Sequence, residues 1–155
     1  MAHQALLWVH ILSSTLLFGT GLGTAFHGWM AQRSGDLRAI VVASRSVVLA
    51  DWLFTAPAVV VQPVTGAWMA RLAGIPLATG WLALALGLYV LVGACWLPVV
   101  WLQTRMHAMA RAALRAGEPL PARYHAHARW WFALGWPAFL AVLGIFYLMV
   151  FKPEL

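Results

Sequence analysis

The chain has 155 residues, of which 63% are hydrophobic and only 9% charged, with a formal net charge of +6. A water-soluble domain carries about a quarter charged residues to keep its surface solvated, so this composition excludes one and defines a membrane protein. A basic balance of this size would point to nucleic acid in a soluble chain; here the arginines have a topological explanation, and no nucleic-acid partner is expected.

Four apolar runs are each long enough to span a bilayer, Ala5–Trp29, Ser46–Ala70, Gly80–Thr104 and Trp130–Phe151. The expected fold is therefore an all-α integral membrane protein, a single four-helix transmembrane bundle over residues 1–155, with the third helix prolonged into the cytoplasm to residue 116. Its one cysteine, Cys95, sits mid-membrane and offers no disulfide or redox pair.

The first run lacks a basic n-region and is too long for a signal-peptide core, so it reads as a retained helix. Trp8 and Trp29 mark its two interfaces, and Trp52, Trp68, Trp81, Trp101, Trp130 and Trp131 fall at the same two levels as an aromatic belt. Trp96 and Trp136 lie deeper and call for a packing or cofactor role. The glycines of Gly19-Thr20-Gly21-Leu22-Gly23 follow no strand and are not a nucleotide fingerprint; Gly19 and Gly23 have the spacing that lets two helix backbones approach. His10, Ser14, Leu17, Gly21, Thr24 and Gly28 fall within about 40° of one line. A histidine above such a small-residue channel would admit a flat ligand, with His10 as an axial or hydrogen-bonding group, though small residues equally suit tight packing. His27 stands about 25 Å along the axis from His10 and about 100° around it, so the two cannot share a ligand.

The second run is the stretch around which the chain is organised, because it is apolar enough to span yet carries Asp51. Asp51, Thr55, Ala58, Gln62, Thr65 and Met69 share one face within about 40°, with Ser44 and Val48 extending it. A charged residue facing lipid costs a few kcal/mol or more, so this face must line the bundle interior, as a functional site or as glue between helices. Pro57 and Pro63 remove backbone donors, which should kink or loosen the helix and leave carbonyls that need partners inside the bundle. At the cytoplasmic level Asp51 stands with His27, Arg45, Gln103 and Arg105, and an ion pair from Asp51 to Arg45 or Arg105 is expected ahead of a proton relay.

The third run places Ala85, Tyr89, Val92, Trp96, Val99, Gln103 and His107 on one line, and the fourth Arg129, Phe132, Trp136, Leu140, Leu143 and Tyr147. By depth, Thr65 and Tyr147 are level with His10, and Gln62 and Tyr89 lie about one turn deeper. With Ser14 and Gly21 these form a candidate outer pocket. His125 and His127 have a weak metal spacing without Asp or Cys partners nearby, and are expected to be solvated at the interface.

Arg33, Arg38, Arg45, Arg105, Arg111, Arg115, Arg123 and Arg129 flank the first and third connections, whereas only Arg71 and Lys152 stand at the opposite side. By the positive-inside rule the eight face the cytoplasm and both termini face outward, into the periplasm if the membrane is a bacterial inner membrane.

The stretches LLWVHIL and FGTGLGTAF, RSVVLADWLFTAPAVVVQPVTGAWM, and WLPVVWLQTRM resemble a bacterial family described only as predicted integral membrane proteins, over essentially the whole chain. More distantly, WVHIL near the start, Arg45 ahead of TAP, and an ending of RWW through KP are similar to the HemJ-type protoporphyrinogen oxidases, small four-helix membrane proteins that bind haem b. That resemblance implies haem b with His10 as its axial ligand. Those proteins carry a lysine early in the third helix, where GWLALALG here has none, so the resemblance reaches the pocket and its haem ahead of the oxidase activity. The leading expectation is a haem b-binding inner-membrane protein in electron transfer or porphyrin oxidation, with iron on His10 and Met69 or Met149 available as a second ligand. The alternatives are a non-catalytic membrane subunit that docks a partner or a copy of itself, and a quinone, lipid or small-molecule site without haem.

Overall fold

The computed structural model describes residues 1–154; the C-terminal Leu155 lies outside the described residues. Four helices are long and apolar enough to cross a membrane: α1 Ala2–Ser34, α2 Leu37–Leu72, α3 Gly80–Ala116 and α4 Ala122–Phe151. They run 33, 36, 37 and 30 residues, well beyond the roughly 20 that a bilayer requires. Most of the surplus lies at one end, where α2 starts at Leu37, ahead of the expected Ser46, and α4 at Ala122, ahead of Trp130. The connection between α1 and α2 shrinks to Gly35 and Asp36. Gly35 takes the left-handed conformation that stops α1, and the Asp36 carboxylate accepts from the Arg38 N–H at 2.8 Å to cap α2. Gly117, also left-handed, ends α3.

The surplus has a packing purpose. The most continuous apolar core, Ile40, Val47, Leu102, Met106, Ala110, Tyr124, Ala128 and Trp131, joins α2, α3 and α4 at the end of the bundle that carries the α1–α2 and α3–α4 connections. There water is the alternative environment and apolar burial is rewarded. Within hydrocarbon that reward vanishes, and small residues and polar bonds take over. This explains a correction on α4: Trp136, Leu140, Leu143 and Tyr147 are exposed, while Ala128, Trp131, Ala141 and Leu148 are buried. Bulky aromatic side chains lose nothing by facing lipid tails, and the small residues let α4 lie close along α3. Trp136 is therefore a membrane-facing residue, and Trp131, read as part of the belt, is an interior one.

α2 is the most enclosed helix, with 22% of its most apolar window buried against 6% for α1. Its N-terminal half packs on both α1 and α3, whereas its C-terminal half leans chiefly on α1. Between the halves, Asp51–Thr55 form a π turn in which the Ala56 N–H reaches the Asp51 carbonyl. The cause is two residues away: Pro57 has no N–H, and its ring would collide with the carbonyl of Leu53 in a regular helix. The expected loosening of α2 thus falls ahead of Pro57, on the turn that carries the acid.

Candidate functional site

The stripe on α2 faces inward as its spacing requires, since Asp51, Thr55, Ala58 and Thr65 are buried and Gln62 is partly so. It builds two polar layers.

In the outer layer, the Thr65 hydroxyl donates to the Val61 carbonyl at 2.7 Å, one turn back on its own helix. Its oxygen is then free to accept, and His10 Nδ1 lies 2.8 Å away. With the Thr65 hydrogen on the Val61 carbonyl, Nδ1 is the donor of this bond and Nε2 keeps the lone pair; with that hydrogen on Nδ1, the two ring nitrogens exchange roles. Gly66 makes room for the ring: a Cβ there would stand 3.2 Å from His10 Cε1. Ser13, buried beside His10, donates to Gln62 Oε1 at 2.8 Å. Below them the Tyr89 hydroxyl donates to the Val59 carbonyl. That carbonyl is the one Pro63 leaves without its helical donor, so a side chain of α3 supplies what the proline removed.

Of the expected outer pocket, the structure brings His10, Thr65, Gln62 and Tyr89 together and leaves three residues apart. Ser14 bonds within its own turn, to the Ile11 carbonyl at 2.8 Å, and Ser13, one position round the helix, takes the interhelical role. Gly21 faces outward, with no other helix within 4 Å of a Cβ placed there among the described residues. Tyr147 is exposed and packs on Phe151 at 4.6 Å, because the outer half of α4 follows α3 and turns this aromatic face to lipid.

In the inner layer, Asp51 accepts from the Thr55 hydroxyl at 2.8 Å and from the Gln103 amide of α3. The Gln103 carbonyl accepts from Trp131 Nε1 of α4 at 3.3 Å. An indole N–H can only donate, so it fixes which way the Gln103 amide points and hence that its nitrogen faces Asp51. Thr55 and Trp131 complete a network running across α2, α3 and α4. Thr55 was legible on the stripe; Trp131 was hidden among interfacial tryptophans.

The expected ion pair does not form. Arg45 and Arg105 are exposed, Arg105 over the Trp101 ring at 5.6 Å, and His27 is exposed as well. Guanidiniums at this level reach the headgroup region, where they remain hydrated, and two neutral side chains satisfy the acid instead. Trp96 carries the one remaining strain of this kind: its buried Nε1 has no partner among the described residues. No group of three or more potential metal-ligating residues occurs among the described residues. His127 stacks on Trp101 and His125 meets the edge of Tyr124.

A hollow of about 30 Å³ lies at the same end as the apolar core, lined in part by Gly28, Gln32, Ser44, Met106, Tyr124 and Trp131. It has room for about one water.

Four long apolar helices, with the polar stripe of α2 turned inward, define a multi-pass integral membrane protein. The chain belongs to the family described as predicted integral membrane protein (DUF2269), whose model matches residues 4–153. No curated protein and no solved structure matches it.

Proposed function

We propose that this protein binds haem b in a bacterial cytoplasmic membrane, with iron on His10, and serves electron transfer or porphyrin oxidation. The observation that carries the reading is the orientation of His10: Thr65 engages Nδ1, and in the tautomer protonated there Nε2 offers a lone pair. A hydrogen bond to the far ring nitrogen is how metal-ligating histidines are oriented and made more basic. The residues fit the group at the iron. They do not enclose a porphyrin, which is far bulkier than the 30 Å³ hollow, itself lined by cytoplasmic-end residues such as Tyr124 and Ser44. The ring would therefore not be housed in the four-helix core. Bound haem supplies one-electron chemistry. The chain's own contribution is to fix the imidazole through Thr65 and Gly66, and to hold α1 against α2 through Ser13 and Gln62.

The absorption spectrum of protein purified in detergent tests this reading. A Soret band is expected in the wild type, lost or strongly shifted in His10→Ala and nearly unchanged in His27→Ala, whose ring is exposed. A wild type that stays colourless after reconstitution with haemin refutes it.

A specific observation favours a second reading, a non-catalytic subunit that docks another helix. Gly19 and Gly23 have the spacing for close helix contact, yet among the described residues no other helix lies within 4 Å of a Cβ placed on either. Their face is unused within the bundle. A colourless protein that loses a membrane partner or self-association on Gly19→Leu supports that alternative.

A further inference from the structure

We infer that the hollow between the helices is a binding site for one ordered water molecule, hydrogen-bonded to the Tyr124 hydroxyl and shared with Gln32 and Ser44. The site stands apart from His10 and does not depend on the haem reading.

Tyr124 sets the requirement. Its side chain is only 2% exposed and belongs to the packed core, yet its hydroxyl makes no hydrogen bond to another group among the described residues. A buried hydroxyl without a partner is destabilising, and native structures supply one from the protein or from water. Among the described residues Trp96 Nε1 is the one polar side-chain atom both sealed and unpartnered, so the Tyr124 hydroxyl is not sealed. Tyr124 lines the hollow of about 30 Å³, where a water can reach it.

The walls can hold that water. A single molecule needs roughly 10–15 Å³ and two to four polar partners. Gln32 of α1, Ser44 of α2 and Tyr124 of α4 all line the hollow. Trp131 lines it too, but its N–H already donates to Gln103 at 3.3 Å. Ser44 bonds the Val41 carbonyl at 3.0 Å and His107 Nδ1 at 2.9 Å. Its one hydrogen goes to either of these, and in both cases an oxygen lone pair remains. The water therefore accepts from Tyr124 and donates to the Ser44 oxygen and the Gln32 carbonyl. No hydrogen bond joins α4 directly to α1 or α2 among the described residues, and α4 packs chiefly along α3. The water supplies the polar link that the side chains alone do not make.

Radiolytic hydroxyl-radical labelling of the full chain in detergent micelles, read residue by residue by mass spectrometry, tests the inference, because radicals formed from a bound water oxidise the side chains beside it. Met106 lines the hollow and is 5% exposed; Cys95, a second reactive sulfur, is 7% exposed and does not line it. Burial alone would protect both. Met106 and Tyr124 are expected to be oxidised while Cys95 stays protected. Tyr124→Phe removes the anchoring bond and should abolish the Met106 signal, with the exposed Met1 labelled as before. Should Tyr124→Phe lose its helical circular dichroism, Gln32→Leu, at a partly exposed position, should give the same loss at Met106. Met106 as protected as Cys95 in the wild type, or undiminished Met106 oxidation in a folded Tyr124→Phe or Gln32→Leu variant, would overturn the inference.

Discussion

Replacing Asp51 by asparagine and Gln103 by leucine separates two accounts of the buried acid. An acid that balanced a guanidinium would leave that cation stranded in Asp51→Asn, at a cost of several kcal/mol. The structure gives the opposite ranking. An asparagine can present its carbonyl to the Gln103 amide and its nitrogen to the Thr55 hydroxyl, which then accepts and turns its own hydrogen to the preceding turn. The network stays closed and loses only the extra strength of a charged acceptor, about 1 kcal/mol. Gln103→Leu has no such remedy. It strands an Asp51 oxygen and the Trp131 N–H together, and each unpaired buried group costs about 1–3 kcal/mol. Side-chain bonds between membrane helices average only about 0.6 kcal/mol, because the dispersed helices find other partners. A combined loss of about 2–4 kcal/mol follows. Unfolding in detergent micelles, followed by far-ultraviolet circular dichroism, measures both variants against wild type. If Asp51→Asn proves as unstable as Gln103→Leu, the neutral-network account is wrong and a counter-cation must be sought.

Tyr89→Phe removes the donor to the Val59 carbonyl and should cost about 1 kcal/mol; Pro63→Ala restores the helical N–H, so Tyr89→Phe should cost measurably less in that background, and an unchanged cost in a double-mutant cycle would show that the two do not share this carbonyl. Reporter fusions at Gly35 and Gly117 should report the cytoplasm, as the eight-to-two arginine and lysine asymmetry requires, and a periplasmic signal from Gly117 would reverse that orientation.

Much of α2 was legible because hydrocarbon permits few solutions. An acid, two threonines and a glutamine at helical spacing had to turn inward, and the carbonyl freed by Pro63 had to find a donor, which proved to be Tyr89. The partners were harder to read. Depth along a helix follows from counting residues, and it placed Thr65 correctly beside His10. Rotation about the axis does not: Ser13 and Ser14 lie at nearly the same height, and only the packing of α1 on α2 decides which one meets Gln62. On α4 the aromatic stripe was mistaken for the inner face, because bulk marks the core in water but not in lipid. The Asp51 partner was missed for a related reason. Formal charge suggested an arginine, whereas two neutral donors fulfil the same need without moving a second charge out of water.

The two polar layers differ in how firmly they are held, and the π turn lies where the difference begins. Below it, α2 is fixed on both sides, by α1 and by the packed core with α3 and α4, and Gln103 ties Asp51 into that core. Above it, α2 leans on α1 and meets α3 chiefly through Tyr89. A π turn is a common feature of functional sites because its widened hydrogen bonds interrupt the regular helix. Asp51 and Thr55 bond within this turn and Gln103 ties Asp51 to α3, so the inner end is fixed while the helix above follows a different neighbour. His10 and Thr65 belong to that outer pair of helices. The imidazole is thus held to α2 by a short bond and a glycine, on the part of the bundle with the fewest other contacts, which is where a ligand on Nε2 could be accommodated without breaking the packed core of α2, α3 and α4.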